Sequence, residues 1–228
     1  MAKQDRAIRT RRVILEAAAA VFEEYGYEAA KITDILARAE VTKGALYFHF
    51  DSKEDLALAV IDAQVEEAPP QLPQAAKLQE GVDIGMVFAH RLMRDPLVRG
   101  SMRLTLDPAG VQLNRAGAYA NWAELHTRIL TEAKAQGEVL SHVVPAETAS
   151  LIVGAYAGIN MMLRNRGESS DLDRQASVLY RHIMPSVAVP AVLAVLDMAP
   201  GRGERALAAA AGMERDGGRT QVAPGFAG

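Results

Sequence analysis

Residues 41–50 read VTKGALYFHF, and they are the most informative part of the sequence about its fold. Thr42 has the side chain of a helix N-cap, and the residues after it favour one short helix that runs to about Phe48. Another short helix is predicted just upstream, around Ile32 to Ala39, where apolar residues recur at helical spacing. Because about two residues join them, the two helices form a helix-turn-helix, whose second helix fits the DNA major groove.

The side chains around the second helix suit contact with nucleic acid. Lys43 places a cation at the helix N-terminus, where free backbone N–H groups already favour a phosphate. Gly44 has no side chain, so the backbone can approach a phosphate closely. Tyr47 and His49 add donors within the next turn, and Lys53 adds a cation at the start of the following helix. Phosphate contacts of this kind position a protein on DNA.

Base edges, unlike phosphates, carry sequence information. On the second helix Lys43 is the best candidate for reading a base, and Ala45 is small enough to touch a thymine methyl group. Phe48 and Phe50 are expected in the core of a small three-helix bundle instead.

Helices are predicted on both sides of this motif. Apolar residues from Val13 to Tyr25 follow helical spacing, and Gly26 ends that helix. Ser52 begins a fourth helix, with Asp55 in the acidic position of a capping box. Prolines make residues 67–76 a linker. Further helices are predicted over 78–94, 96–106, 118–136, 145–164, 171–184 and 190–198.

Composition is that of an ordinary globular protein, with 228 residues of which 50% are hydrophobic and 23% charged. The absence of cysteine excludes disulfides, thiolate metal sites and a cysteine nucleophile. There is no apolar run of about 20 residues that would span a membrane and no secretory signal, so a cytoplasmic location is expected. Residues 1–12 hold five basic side chains and one acidic one, which fits either a polyanionic partner or a solvated terminus.

Residues 6–60 resemble the DNA-binding domain of the TetR family, and VTKGALYFHFDSKEDLA (41–57) is close to that family's most recognisable segment. AKQDRAIRTRRVILEAAAAVFEEYGYEAA (2–30) and HIMPSVAVPAVLAVLD (182–197) narrow the resemblance to the γ-butyrolactone autoregulator receptors of filamentous actinobacteria. This resemblance implies an all-α homodimeric repressor that leaves its DNA operator when a small lipophilic signal binds. Such proteins control antibiotic production and morphological development.

Two positions depart from the family pattern. Glu40 stands in the turn where the family usually has glycine, which costs about 1 kcal/mol if the backbone needs a positive φ. Lys31 stands where the family usually has a small hydroxyl, and lysine is a poor N-cap. Both substitutions leave the fold possible and weaken the turn.

The residues and the resemblance together predict three sites and three regions. The DNA-contacting set is Arg6, Thr33, Thr42, Lys43, Gly44, Ala45, Tyr47, His49 and Lys53. The ligand-binding set is Gln64, Phe88, Leu92, Leu104, Trp122, Tyr156 and Asn160, and the dimer set is Gly154, Gly158, Val192 and Leu196. The regions are a DNA-binding domain over 1–53, a ligand-binding and dimerisation domain over 54–200, and a flexible tail over 201–228.

The ligand and dimer sets each have a plainer interpretation. In the resembling receptors a tryptophan at the place of Trp122 lines the signal pocket, although a lone tryptophan is more often core. Asn160 lies within a long apolar face, where an amide without a partner costs about 1–3 kcal/mol. Gly154 and Gly158 permit close helix approach, either between subunits or within one, and the last apolar helix is the other candidate interface.

Three alternatives remain open from the sequence. An enzyme is disfavoured, since the chain lacks a Gly-rich phosphate loop, a His-x-x-x-His pair and a Gly-x-Ser-x-Gly elbow; neither a cofactor nor a metal is expected. A pseudo-receptor would bind DNA but respond to an antibiotic or another compound. A helical interaction module would bind no DNA at all.

Overall fold

A computed structural model of the chain describes residues 2–66, 74–106, 115–168 and 171–219. The chain is built from helices, so the expected all-α class is confirmed. One isolated antiparallel bridge pairs Val139 with Ala188. None of the helices in the described ranges is long and apolar enough to cross a membrane. In chain order the helices are α1 (Ala2–Ala29), α2 (Ile32–Ala39), α3 (Lys43–His49), α4 (Lys53–Glu66), α5 (Lys77–Arg94), α6 (Pro96–Leu106), α7 (Arg115–Ala135), α8 (Pro145–Arg166), α9 (Leu172–Ile183), α10 (Pro190–Leu193) and α11 (Arg202–Arg219).

These helices form two compact units. The first comprises Met1–Ala68 with Arg91–Leu125, and the second comprises Pro69–His90 with His126–Gly228. The boundary that we predicted after residue 53 therefore differs from this division. The reason is packing, because α4 and α6 contact α1 and each other within the first unit.

The first unit has a continuous apolar core that holds the helix-turn-helix. Phe22, Ile35, Leu46, Phe50 and Leu56 are each at most 2% exposed and belong to one cluster, contributed by α1, α2, α3, α4 and the segment after α3. Burial of such side chains stabilises the unit by roughly 1.5–3 kcal/mol each. It also fixes α3 with one face inward and the other outward.

Local hydrogen bonds set the ends of the short helices much as the sequence predicted. The Thr42 hydroxyl accepts from the backbone N–H of Ala45 at 3.2 Å, and the Ser52 hydroxyl accepts from that of Asp55 at 2.9 Å. Glu40 adopts the left-handed conformation with φ 54°, and Lys31 makes no side-chain cap hydrogen bond within the described ranges. Both departures from the family pattern are therefore real local weaknesses. Gly26, with φ 75°, interrupts α1 where we predicted its end.

The second unit fastens its C-terminal helix to α5. The Arg202 guanidinium bonds both carboxylate oxygens of Asp83, each at 2.7 Å. A Cβ atom on Gly203 would lie 2.6 Å from the carbonyl carbon of Met86, so the two helix backbones are in contact. The flexible tail predicted from residue 201 is thus helical over Arg202–Arg219. The part of that prediction covering 220–228 lies outside the described residues.

The helix predicted over 190–198 is much shorter than expected. It ends at Leu193, and the backbone N–H groups of Val195 and Leu196 then bond carbonyl oxygens only three residues back. Beyond them Asp197 donates its backbone N–H to the Gln79 side chain at 2.7 Å. The other predicted helices from residue 78 onward agree with α5 to α9 within about three residues at each end.

Candidate DNA-binding and effector sites

The outward face of α3 gathers the residues predicted to contact DNA. Successive helical residues are 100° apart, so Lys43, Gly44, Tyr47 and Phe48 share one arc of this helix. All four are exposed, whereas Leu46 on the opposite side is fully buried. A Cβ atom on Gly44 would have no neighbour within 4 Å in the part of the chain that the structure describes, so the backbone of α3 is open to close approach from outside.

Lys43 and Tyr47 are presented together. The ammonium nitrogen of Lys43 lies 5.8 Å from the centre of the Tyr47 ring, which is cation–π geometry. This contact holds a charged ammonium group and a phenolic hydroxyl close together on the exposed arc. The pair has the chemistry to bind phosphate oxygens or the acceptor atoms of a guanine.

Phe48 corrects the sequence prediction. We expected both Phe48 and Phe50 in the core; Phe50 is 2% exposed, but Phe48 is 78% exposed. The cause is the helical period, which places Phe48 next to Gly44 on the outer arc, while Phe50 lies beyond the helix end and folds inward. The Phe48 ring contacts the His49 ring edge-on, with centroids 5.0 Å apart.

Three predicted DNA contacts are less available than the outer arc. Ala45 and His49 are half-buried on the other side of α3. Lys53 donates to the Glu28 carbonyl oxygen at 3.3 Å and lies 4.7 Å from the centre of the Tyr27 ring. Burial lowers the pKa of Lys53, although the nearby Glu28 raises it. The ammonium group of Lys53 therefore already has partners within the first unit.

The start of α1 adds cations beside the turn. Arg6 and Arg9 line an open depression of about 490 Å³ together with Val41, which precedes α3. Arg6 was predicted from the sequence and Arg9 was missed, although three-residue spacing along a helix places both on one face. Thr33 is exposed near the start of α2, with its hydroxyl 3.4 Å from the Asp34 carboxylate.

In the second unit Tyr156, from the predicted ligand-binding set, contacts both Phe88 of the same set and the backbone of α5. The rings of Phe88 and Tyr156 are 5.7 Å apart in an edge-on arrangement. The Tyr156 hydroxyl donates to the Gly85 carbonyl oxygen of α5 at 2.9 Å. Asn160, one turn beyond Tyr156 on α8, is 1% exposed, and its amide oxygen and nitrogen have no hydrogen-bond partner among the described residues.

Sequence reasoning missed two further buried polar groups on α9. The hydroxyls of Ser177 and Tyr180 are buried and lack a partner within the described ranges. A Cβ atom on Gly85 would lie 2.9 Å from Cζ of Tyr180, so Tyr180 reaches the same stretch of α5 as Tyr156. Burial raises the pKa of Tyr156 and of Tyr180, which keeps both hydroxyls protonated. The sequence signal that could have found them is that both are polar residues on the face of α9 that otherwise carries core residues.

The remaining predicted ligand residues are placed as follows. The Gln64 side chain lies outside the described residues. Leu92 is buried on α5, and Trp122 is half-buried on α7. Leu104 is fully buried in the core cluster of the first unit.

The predicted dimer residues lie partly on an uncovered face of α8. Cβ atoms on Gly154 and Gly158 would meet none of the described residues within 4 Å. On the same helix Leu151, Met161 and Met162 are each more than half exposed. Val192 in α10 and Leu196 beyond it are half-buried.

Comparison with known proteins agrees with this arrangement. Residues 14–60 match the family model of bacterial regulatory proteins, tetR family. The A-factor receptor protein of Streptomyces griseus is 41% identical over 194 residues, which are 85% of this chain and 69% of that protein. The chain belongs to the TetR family.

Two solved structures extend the similarity to the fold. The TetR regulator TylP of Streptomyces fradiae is 42% identical, with a TM-score of 0.85 over 90% of this chain and 99% of that one. A γ-butyrolactone receptor described as an ArpA-like protein is 27% identical, with a TM-score of 0.65 over 92% of this chain and 99% of that one. The similarity therefore spans both units of this TetR-family chain and not just its helix-turn-helix.

Proposed function

We propose that this chain is a cytoplasmic, ligand-responsive repressor that binds a pseudo-palindromic operator as a homodimer and is released by a small γ-butyrolactone or butenolide. The observation that carries the proposal is the exposed arc of α3, where Lys43, Gly44 and Tyr47 stand together on a helix fixed from behind by a buried core. An exposed cationic arc on a helix whose opposite side is buried matches the groove-facing helix of a helix-turn-helix.

We propose two kinds of DNA contact: hydrogen bonds from side chains, and close approach of the helix backbone at a glycine. Lys43 and Tyr47 have the donors to bind phosphate or base acceptors, and Gly44 allows the helix backbone to come close to the duplex. Arg6 and Arg9 extend this cationic surface along α1, next to Val41. A single helix reads few base pairs, so specificity requires a second copy whose α3 lies one DNA turn away, roughly 34 Å.

The face of α8 is the surface that we assign to pairing. Gly154 and Gly158 leave room for a second helix backbone, and Leu151, Met161 and Met162 provide the apolar area around them. A contiguous apolar face of this kind is normally covered in a protein–protein interface. Two copies related by two-fold symmetry would cover it with the same residues from each.

The second unit supplies the chemistry for a small neutral effector. Asn160 offers two N–H donors and a carbonyl acceptor, and Ser177 and Tyr180 offer hydroxyls, all buried and uncharged. A lactone or butenolide has a carbonyl oxygen and ring oxygen as acceptors, and hydroxyl substituents as donors, so it can satisfy such groups. Phe88 and Tyr156 provide apolar ring surface close by. A binding site of this type is mostly apolar with a few placed polar groups.

Release from DNA would be a shift between two populations. The effector moves that equilibrium only as far as its affinities for the DNA-binding and released states differ. In the first unit α6 packs against α1 and α4, so a change in α6 would act directly on the helices behind α3.

The test uses the full chain and duplexes selected from a randomised DNA pool. We expect binding that weakens steeply as salt rises, and release when a γ-butyrolactone or a butenolide is added. Titration calorimetry with both compounds measures effector binding separately from DNA. Salt-dependent DNA binding with no heat and no release from either compound would favour the pseudo-receptor, and failure to bind any duplex would overturn the proposal.

A further inference from the structure

Phe48 is unusual in its exposure. At 78%, it is the most exposed large hydrophobic side chain in the part of the chain that the structure describes. Its ring meets that of its neighbour His49 edge-on, and His49 is itself half-buried. Leaving a phenyl ring in water forgoes the stabilisation of burying it, so the ring is available to an apolar group from outside.

The position of Phe48 on α3 limits what that group is. Phe48 lies 40° around the helix from Gly44 and shares its open face, on the arc that also presents Lys43. With a rise of about 1.5 Å per residue, Phe48 is about 7.5 Å along the helix axis from Lys43. Since base pairs are about 3.4 Å apart, that is roughly two base pairs along a groove.

A molecule that binds this arc must contact both a phenyl ring and a cation, about 7.5 Å apart along the helix axis. A phenyl ring donates no hydrogen bond, so it gains nothing from a phosphate oxygen or from the polar edge of a base. In the major groove of DNA the C5-methyl group of thymine is the apolar feature that a side chain can contact. Double-stranded DNA also supplies the negative charge that complements Lys43 on α3, and Arg6 and Arg9, which line the depression beside Val41.

We infer that Phe48 reads the C5-methyl group of a thymine in the operator, roughly two base pairs from the position that Lys43 contacts. This inference rests on the proposed DNA binding and adds the residue that selects one base. It also replaces Ala45 in that role, because Ala45 is half-buried on the other side of α3.

Uracil substitution isolates the methyl group, because uracil pairs with adenine as thymine does and lacks only that group. The full chain is first used to select an operator from a randomised duplex pool. Each thymine is then replaced by uracil, and affinity is measured by fluorescence anisotropy. We expect one thymine per half-site at which the replacement weakens binding roughly fourfold, or about fifteenfold when both half-sites are changed, the effect of losing one methyl contact each.

The Phe48→Ala variant provides the second half of a double-mutant cycle. It should bind the thymine operator at least tenfold more weakly than the wild type and should no longer distinguish uracil from thymine at that position. Phe48→Leu should keep most of the discrimination because it keeps an apolar side chain. Tyr47→Ala is the matched control on the same arc, and it should weaken binding to both duplexes by the same factor.

Folding does not confound this cycle, because Phe48 is exposed and circular dichroism will check that each variant keeps its melting temperature. Wild-type protein that binds thymine and uracil operators equally would overturn the inference and leave the proposed function standing. Phe48→Ala protein that still discriminates uracil would also overturn it. If no duplex is selected at all, the proposed DNA binding fails and the inference falls with it.

Discussion

Gly100 in α6 and Ala19 in α1 bring two helix backbones into direct contact. A Cβ atom on Gly100 would lie 2.6 Å from the Cα atom of Ala19 and closer still to its carbonyl oxygen. Next to this contact, Arg99 reaches Glu23 of α1 with a nitrogen–oxygen distance of 2.7 Å. α6 is therefore fixed against the helix that also packs on α2 and α3.

Replacing Gly100 by alanine should lower the free energy of unfolding by about 1–3 kcal/mol, because the added methyl group has no room and must push α6 away from α1. Urea unfolding of the full chain measures this. Gly212→Ala is the control: Gly212 lies in α11, where no described residue comes within 4 Å of an added Cβ, so alanine there should stabilise by up to about 1 kcal/mol. A Gly100→Ala protein as stable as the wild type would show that the backbone contact is not made.

At Glu40 a substitution should raise the free energy of unfolding, whereas the one at Gly100 should lower it. With φ 54° Glu40 occupies a conformation that glycine adopts without strain, so Glu40→Gly should raise the free energy of unfolding by up to about 1 kcal/mol. Glu40→Gln removes the same charge but keeps the strained backbone, and it should leave stability nearly unchanged. Thermal unfolding compares the two variants; equal gains would assign the effect to charge instead of to the backbone.

The motif and its caps were predictable because they depend on neighbours in the sequence. Thr42 with Ala45, and Ser52 with Asp55, are three residues apart, so a pattern of residue types contains the whole interaction. Phe48 was misassigned because an aromatic residue in a helix of two turns fits either face by composition. The position of Phe48 around the helix, close to the exposed Gly44, is what distinguishes an exposed Phe48 from a buried one.

The features that sequence reasoning missed depend on distant partners. Arg202 pairs with Asp83, 119 residues away, and this contact orders a segment whose composition favours a flexible tail. The segment after α10 also has a distant partner, because Asp197 donates its backbone N–H to the Gln79 side chain. The unpaired hydroxyls of Ser177 and Tyr180, described above, also become visible only when the helices around α9 are in place.

Lys43 and Tyr47 should matter for DNA affinity without mattering for the fold, since both are exposed. We expect Lys43→Ala to weaken operator binding and to reduce the slope of log affinity against log salt by about 1 per contacted phosphate, because one counterion fewer is released. Tyr47→Ala should weaken binding with little change in that slope, because it is uncharged. Anisotropy titrations over a range of salt measure both. Effector binding, measured by calorimetry, should be unchanged in each variant.

Asp171 predicts a pH dependence at the start of α9. Hydrogen bonds from Arg174 and then Gln175 lower the pKa of its carboxyl to about 2. Because this folded-state pKa is below the unfolded value of about 4, the stabilisation is complete above about pH 4 and is lost as the pH falls toward 2. Asp171→Asn should therefore lower the melting temperature at pH 7, and the difference from the wild type should narrow below about pH 4. A difference that stays constant with pH would exclude ionisation as its cause.

Replacing Asn160 tests separately whether this residue stabilises the fold and whether it binds the effector. A buried amide whose donor and acceptor are both unpaired costs about 1–3 kcal/mol, so Asn160→Leu, which keeps a similar branched shape, should stabilise the protein without effector by a similar amount. The same change should abolish release from the operator by a lactone, because the hydrogen bonds that we propose between Asn160 and the effector would be lost. Thermal unfolding and anisotropy with added effector measure the two effects. An Asn160→Leu protein that is less stable than the wild type would instead mean that Asn160 has a partner within the fold, and normal release would mean that the effector does not contact it.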